Sequence, residues 1–498
     1  MSVPPVLVPL PDAGERLTAL AARVRRERAL LDYPAMDWVT PVTHASGTHV
    51  HDVLILGAGQ GGLATAFGLM RERVTNILVL DRAEPGREGP WITYARMLTF
   101  RSPKHVTGPD LGVPALTPQA WFQAVFGPAG WEAITKWPRA LWQDYLVWYR
   151  AALDLPVRNR TEITAIAPDG DLLRVSATDT TTGEPLSFLA RKIVLATGIE
   201  GNGDWRLPAL ALDRLPKDRF AHTNWEFDVG ALRGKRVGVL GAGASAFDTA
   251  ASALEAGAAS VHQFARRPAL PLKDPYRTME KSGFLRHFGS MTALERWRWL
   301  VATRDQGVPA TQDGIDRCTA FPNYRITTGA GWASVAFDGH DVIVTGTDGA
   351  EHRFDFLVLG TGYAVDLTKR PELAALVPVI ALWRDRFVPP AGEGGAVLDT
   401  PWLGDDLSFT EKVPGSAPWV RNIHNFTAAA RVSIGSSATA LTSLKYAVPR
   451  LVDGLTRFFW LAQAERELAA IRAYADIDLD LAPLAPHRVP AAGQPSPP

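Results

Sequence analysis

The chain is nearly without cysteine: Cys318 is the single one among 498 residues. An intramolecular disulfide and a Cys-x-x-Cys redox pair are both excluded, and a reducing cytosol is the expected compartment. Net charge is absent as well, 52 basic residues standing against 52 acidic ones. Nothing in that balance calls for a nucleic-acid or acidic-surface partner. No apolar run reaches the length of a membrane span, and the N-terminus lacks a continuous hydrophobic signal core. The composition is that of an ordinary soluble globular protein, and the length suggests about three domain-sized units. Tryptophan is abundant, with 16 residues. Most should be packing residues, with a few left to line an apolar substrate cavity.

The stretch His51–Met70 organises the rest. An apolar strand, Val53-Leu54-Ile55-Leu56, runs into Gly57-Ala58-Gly59-Gln60-Gly61-Gly62 and then into the apolar helix from Leu63. A dinucleotide pyrophosphate requires this order. Gly57 permits the tight turn, Gly59 lets backbone approach phosphate, Gly61 continues the turn, and Gly62 lets the helix pack closely on the strand. The next strand, Asn76–Leu80, ends in Asp81-Arg82, where a carboxylate can accept from an adenosine ribose. A purely structural glycine turn explains the glycines but not the register of strand, turn, helix, strand and acid.

Before this motif, residues 1–50 read as a helical extension, with Leu17, Leu20, Ala21, Val24 and Leu30 near helical spacing. It is either a packing extension or a dimerisation arm. After Asp81 comes a Gly/Pro loop through Gly86, Glu88, Gly89, Pro90 and Trp91, then an irregular segment, 97–114. Residues 118–153 read as two helices broken at Pro138. Short strands follow from Val157 and end in Ala196-Thr197-Gly198, an exit that can bring backbone beside a cofactor.

The design then repeats. Arg236–Leu240 leads into Gly241-Ala242-Gly243-Ala244-Ser245-Ala246, a second nucleotide turn with alanine in its third glycine position. The following strand, Ser260–Ala265, ends in Arg266-Arg267 rather than an acid. Guanidinium forks there suit a 2′-phosphate, which points to NADP over NAD, the plain alternative being two solvated surface arginines. A second strand-rich stretch ends in Gly360-Thr361-Gly362-Tyr363. Two dinucleotides are therefore expected. Ser433-Ile434-Gly435-Ser436-Ser437-Ala438 opens a long helical pattern, either as a plain N-cap or offering amides to an anionic flavin edge.

Two nucleotide turns, the Ala-Thr-Gly between them and the terminal Asp355–Tyr363 run resemble the class B flavoprotein monooxygenases, which include flavin-containing monooxygenases, Baeyer–Villiger monooxygenases and N-hydroxylases. Glu88-Gly89-Pro90-Trp91 is similar to the family's Gly-Gly-x-Trp loop, with Glu88 in the first glycine's place. Gly360 stands where the family's Asp-x-x-x-Leu-Ala-Thr-Gly-Tyr pattern has alanine. The linker fingerprint Phe-x-Gly-x-x-x-His keeps only His222. The resemblance implies an α/β fold of two Rossmann-like dinucleotide-binding domains of the three-layer ββα type, with the FAD domain discontinuous around an inserted NADPH domain. The expected division is an extension at 1–50, FAD-binding parts at 51–204 and 351–475, NADPH-binding 205–350, and a disordered tail at 476–498.

The resemblance also implies an activity: FAD reduced by NADPH, oxygen captured as a C4a-(hydro)peroxyflavin, and one oxygen atom transferred to a small organic substrate, an amine, thioether or ketone. Arg101, before Ser102-Pro103-Lys104, occupies the place of a family asparagine near the flavin. It would stabilise an anionic peroxide or bind a substrate carboxylate, or else pair within its loop. His222 is either a catalytic base or a hydrogen-bonding linker residue. Two rivals stay open on the sequence: a flavin reductase or oxidase without oxygen transfer, and a non-catalytic dinucleotide-binding protein.

Overall fold

The computed structural model describes residues 5–435 and 440–487. Ser436, Ser437 and Ala438 of the serine-rich helix start, and residues 488–498 of the expected tail, lie outside the described residues. The chain divides into two units, 1–456 and 457–498. In the second, the helix Leu441–Ala473 ends and a short 3₁₀ turn, Ala482–His487, follows.

The first unit is built on two sheets. In the larger, the strand Val50–Leu56 is central: Ile77–Leu80 lies parallel on one side, with Val53 opposite Ile77, and Pro185–Leu195 parallel on the other, with Ile55 opposite Val194. Its residues are apolar at nearly every position because helices and strands cover both faces, as parallel strands demand. Pro185–Leu195 changes neighbour along its length. Its first half pairs antiparallel with Leu172–Asp179, and its last residues pair parallel with Ile423–Asn425. That last strand returns the chain to the first sheet after the whole second half has been made.

The second sheet has five parallel strands in the order Phe220–His222, Phe356–Leu359, Arg236–Leu240, Ser260–Ala265 and Tyr324–Thr328. On one side lies the small-residue helix Ala244–Glu255. On the other lies an antiparallel meander, Trp332–Phe337, Val342–Gly346 and Glu351–Phe354. This layering corrects one expected boundary: Glu351–Phe354 and Phe356–Leu359 belong to the second sheet and its meander, so the chain leaves that half after Leu359, not at residue 350. A strand's side-chain period says nothing about which sheet it will join.

The N-terminal extension forms the helix Ala13–Leu30, with Val24 fully buried and Glu27 Oε2 accepting from the Ala115 amide at 2.8 Å. It packs on the helices Pro118–Ala133 and Arg139–Leu153, which with the short strand between them carry a cluster of tryptophans. Trp121, Trp131, Trp137 and Trp142 meet one another, Phe122 and Tyr145 at ring separations of 5.0–6.2 Å. The break at Pro138 holds: Lys136–Pro138 is a short strand paired with Thr99–Pro103, inside the segment expected to be irregular.

The two halves share one backbone device. Gly57 donates to the Leu80 carbonyl at 2.7 Å and Ala196 to the Leu56 carbonyl at 2.8 Å. In the second half Gly241 donates to Phe264 at 2.9 Å and Gly360 to Leu240 at 2.7 Å. Ala196 and Gly360 are thus equivalent, as are Gly62 and Ala246. Both departures from pattern in the second half have one cause: a Cβ on Gly360 would lie 2.5 Å from the Ala246 Cβ. The methyl that Ala246 adds takes the room that Gly360 leaves. Gly360→Ala should destabilise the protein by about 1–3 kcal/mol through overpacking. Thermal melts should show Ala246→Gly in the same chain restoring much of that loss, and purely additive single effects would contradict the contact.

Candidate functional site

The first turn is shaped by close backbone approach. Gly57 has φ +110°, and a Cβ on it would sit 2.5 Å from the Ala196 carbonyl oxygen; one on Gly62 would sit 1.9 Å from the Gly57 oxygen. Neither position admits a side chain. Gly59 differs: its φ is −69°, and nothing lies within 4 Å of an added Cβ. The helix Gln60–Arg71 starts directly behind it with no side-chain cap, so its first amides face that open space. Asp81 closes the turn, its carboxylate accepting from the Ala58 amide at 2.7 Å and from Ala83 at 2.8 Å. Arg82 turns outward and pairs with Glu200 at 2.7 Å.

Beside the turn opens a cavity of about 450 Å³, lined by Ala58, Pro85, Glu88, Gln143, Val147 and Arg150 among others. Gln143 is 3% exposed, and its Oε1 has no partner. A buried unpaired acceptor next to an anion-binding turn fits a ligand carrying both phosphate and hydroxyl groups. Glu88, at the family's glycine position, is buried and accepts from Asn159 Nδ2 at 2.6 Å and Arg150 Nη1 at 3.2 Å. It anchors the loop so that Gly89, at φ +79°, can present Trp91. Trp91 packs on Phe100 at 4.8 Å, while its carbonyl accepts from Arg139. At the far end of the central strands, the Thr197 Oγ1 is buried without a partner, and Gly198 follows at φ +78°. Open backbone, orphaned acceptors and a buried anchor together fit FAD.

The second turn repeats the arrangement. Gly241 lies at φ +114°, with the Gly360 carbonyl 2.2 Å from its would-be Cβ, and Gly243 faces open space. Ser245 is exposed in the first turn of the helix. Arg266 and Arg267 follow the second strand, both exposed, and among the described residues neither guanidinium has an acidic partner. Thr361 donates to the Arg206 carbonyl, Gly362 lies at φ +78°, and Tyr363 pairs across a short ribbon with Trp205.

Polar contacts join the halves. Thr99 Oγ1 and Lys136 Nζ both meet Asp313 Oδ2 at 3.1 Å. Arg101 donates to the Pro309 carbonyl at 3.0 Å and meets Asp274 at 3.3 Å. Of the alternatives for Arg101, pairing is what the fold displays, and the pairing runs to the second half rather than within its own loop. Asp274 also accepts from the Tyr276 amide at 3.0 Å, and the Arg431 guanidinium lies 5.2 Å from the Tyr276 ring centre. Asp274, Tyr276, Asp313, Gln143 and Arg431 belong to no recognisable spacing; only the fold gathers them.

His222 is 0% exposed, stacked on Trp205 at 5.5 Å, and its Nδ1 accepts from the Asn224 amide. Burial lowers its pKa to about 4, with the Gly362 backbone and Asp204 opposing. It is a neutral linker residue, not an accessible base. His424, also 0% exposed, donates from Nδ1 to the Asp406 carbonyl at 2.9 Å, and burial again lowers it to about 4. A histidine neutral when folded but with an ordinary pKa when unfolded stabilises the fold above pH about 6.5. That contribution is lost as pH falls towards 4, at up to about 1.4 kcal/mol per unit for each. Melting temperature should therefore drop steeply between pH 6.5 and 4.5; a flat profile would contradict neutral burial. Lys192, lowered to about 7 by burial, acts in the same direction at higher pH.

Known proteins agree with this reading. A family described as pyridine nucleotide-disulphide oxidoreductase matches residues 54–276. Its disulphide chemistry has no counterpart, because Cys318 stands alone and buried, its thiol pushed up to about 12 by burial. The FAD-dependent urate hydroxylase of Xanthomonas campestris is 44% identical over 463 residues, 93% of this chain and 96% of that protein. A Baeyer–Villiger monooxygenase of Streptomyces coelicolor is 26% identical over 64% of this chain and 66% of that protein. Among solved structures, the ornithine N-hydroxylase of Kutzneria sp. 744, with reduced FAD, NADP⁺ and L-ornithine, superposes with a TM-score of 0.62 at 17% identity. That match covers 82% of this chain and 99% of the other. Among the described residues, no helix is long and apolar enough to cross a membrane. The chain belongs to the family of FAD- and NADPH-dependent flavoprotein monooxygenases that includes the FAD-dependent urate hydroxylase.

Proposed function

We propose that this monooxygenase hydroxylates a planar, anionic nitrogen heterocycle of the urate type, using NADPH and O₂. The observation that supports it best is the 44% identity to a urate hydroxylase over 93% of the chain. The substrate class is where this reading moves beyond the amine, thioether and ketone expected from the motifs. When bound, FAD supplies the redox chemistry, accepting hydride from NADPH and activating O₂ so that one oxygen atom enters the substrate and the other leaves as water.

In this reading, Gly57, Gly59, Gly61 and Gly62 present amides to the flavin pyrophosphate, and Asp81 accepts from the adenosine ribose. Gly89, Trp91, Thr197 and Gly198 lie against the flavin, with Arg82 at the outer edge. Gly241, Gly243, Ser245 and Ala246 cradle the second pyrophosphate, and Arg266 with Arg267 takes the 2′-phosphate. Thr361, Gly362 and Tyr363 sit where the two halves approach. The FAD part runs from 51 to 204 and returns with Ile423–Asn425, enclosing the NADPH part. Arg101 acts by holding Asp274 and the Pro309 carbonyl, which fixes the second half against the first; His222 serves the linker. The large aromatic cluster behind Trp91 excludes water from the reacting edge.

The test is FAD-loaded protein mixed with NADPH and urate. Loss of the urate absorbance band in step with NADPH oxidation is the expected result. NADPH oxidation that releases only hydrogen peroxide, with urate intact and ornithine or a ketone consumed instead, would overturn the substrate assignment.

A further inference from the structure

We propose that a second copy of this chain is held through the two ends of the sequence: the basic, apolar arm 25–36 of one protomer receives the acidic, apolar segment 474–484 of its partner.

Both stretches carry surface that a lone chain leaves wet. Among the described residues, 26 large apolar side chains are exposed, and 11 of them lie in residues 6–36 and 474–484, under a tenth of the chain. Scattered exposed apolar groups are ordinary, whereas crowding of this kind marks a face that another body covers. Tyr33 is 95% exposed and Ile477 90%.

The arm is not a loose end. Where the helix Ala13–Leu30 stops, Arg73 donates from Nε to the Ala35 carbonyl at 2.9 Å and lies 3.7 Å from Asp32, and Trp38 donates to the Glu72 carbonyl at 2.8 Å. These bonds fix the backbone beside the end of the helix Gln60–Arg71, while the side chains of Leu30, Leu31, Tyr33 and Met36 stay in solvent. A surface prepared in this way loses little entropy on binding.

Charge selects the occupant. Arg25 and Arg26 are exposed and have no acidic partner among the described residues, while the arm's own Asp32 and its neighbour Asp37 face Arg73 instead. The segment 474–484 has the opposite sign: Asp476, Asp478 and Asp480 alternate with Ile477, Leu479 and Leu481, with no basic residue among them. In an extended chain this period of two turns the apolar groups to one side and the carboxylates to the other. Asp478 accepts from the Tyr474 hydroxyl at 3.0 Å and Asp480 from the Ala482 amide at 2.9 Å, and among the described residues none of the three aspartates pairs with a base. With one copy's segment on the other's arm, apolar surface meets apolar surface and aspartate meets arginine.

The extent is sufficient. The two stretches supply about 23 residues a side, within the roughly 20–30 of a stable interface. In a two-fold dimer each protomer gives one segment and receives one, so the contact is made twice and assembly closes at two copies.

The experiment is sedimentation equilibrium of the full-length, FAD-loaded protein over a range of concentrations. The wild type should sediment as two chains, and raising salt from about 0.05 to 0.5 M should weaken association about tenfold by screening the ion pairs. One variant carries Arg25→Glu with Arg26→Glu, and a second carries Asp476→Lys, Asp478→Lys and Asp480→Lys. Each places like charges across the contact and should weaken its own association by at least about 10²-fold, with flavin content and melting temperature as in the wild type. Mixed one to one, the two variants should recover a dimer, because each then offers the other complementary charge at both contacts. That recovery separates a contact between copies from damage to either variant. Wild-type protein that stays monomeric overturns the proposal, as do variants that stay dimeric alone or a mixture no heavier than its parts.

Discussion

Gly59→Val is expected to yield a folded but colourless protein. At φ −69° the backbone there suits any residue, and an added Cβ meets nothing within 4 Å, so the fold itself loses little. What the side chain fills is the space in front of the helix Gln60–Arg71, where on the proposed assignment a flavin pyrophosphate would reach the first amides. Losing two or more charge-assisted hydrogen bonds of about 1.5–3 kcal/mol each lowers FAD affinity by at least about 10²-fold. Gly57→Val and Gly62→Val should also lose flavin, but for another reason: their Cβ atoms would collide with backbone oxygens at 2.5 and 1.9 Å, and the melting temperature should collapse with the colour. A yellow Gly59→Val protein with full flavin occupancy would refute the assignment of the first turn.

The second large effect is on coenzyme choice. Replacing both Arg266 and Arg267 by alanine removes two exposed guanidiniums that have no acidic partner among the described residues. Stability should hardly change, because surface charges of this kind contribute little to it. If they bind the 2′-phosphate, KM for NADPH should rise on the order of 10²-fold, while that for NADH moves less than about threefold. Steady-state kinetics with both coenzymes over a range of salt concentrations checks this. Equal changes for the two would mean the arginines are ordinary surface groups.

The motifs made both nucleotide halves legible, because a phosphate-binding turn needs its glycines at fixed spacing and its flanking strand and helix in order. Arg266 and Arg267, which the fold leaves exposed just after the second strand, are proposed for the 2′-phosphate on the same spacing. Other features were hidden. Where the second half ends could not be read, since Phe356–Leu359 is as apolar as any buried parallel strand and sheet membership depends on distant partners. Thr99–Pro103 was missed because its partner, Lys136–Pro138, is only three residues long. His222 kept its place in the linker but lost its role as a base, since burial cannot be read from one histidine in a loop. Arg431 and Tyr276 lie far apart in sequence, on segments whose composition is unremarkable, and only the three-dimensional convergence of the two halves joins them.

The meeting of Gly360 with Ala246 has a consequence for how such chains diverge. The two sites share room for a single methyl, so a methyl gained at one is tolerated only after, or together with, the loss of the methyl at the other. Lineages should therefore hold alanine at one position and glycine at the other, in either order, and pass between these states through a glycine–glycine ancestor rather than through alanine at both.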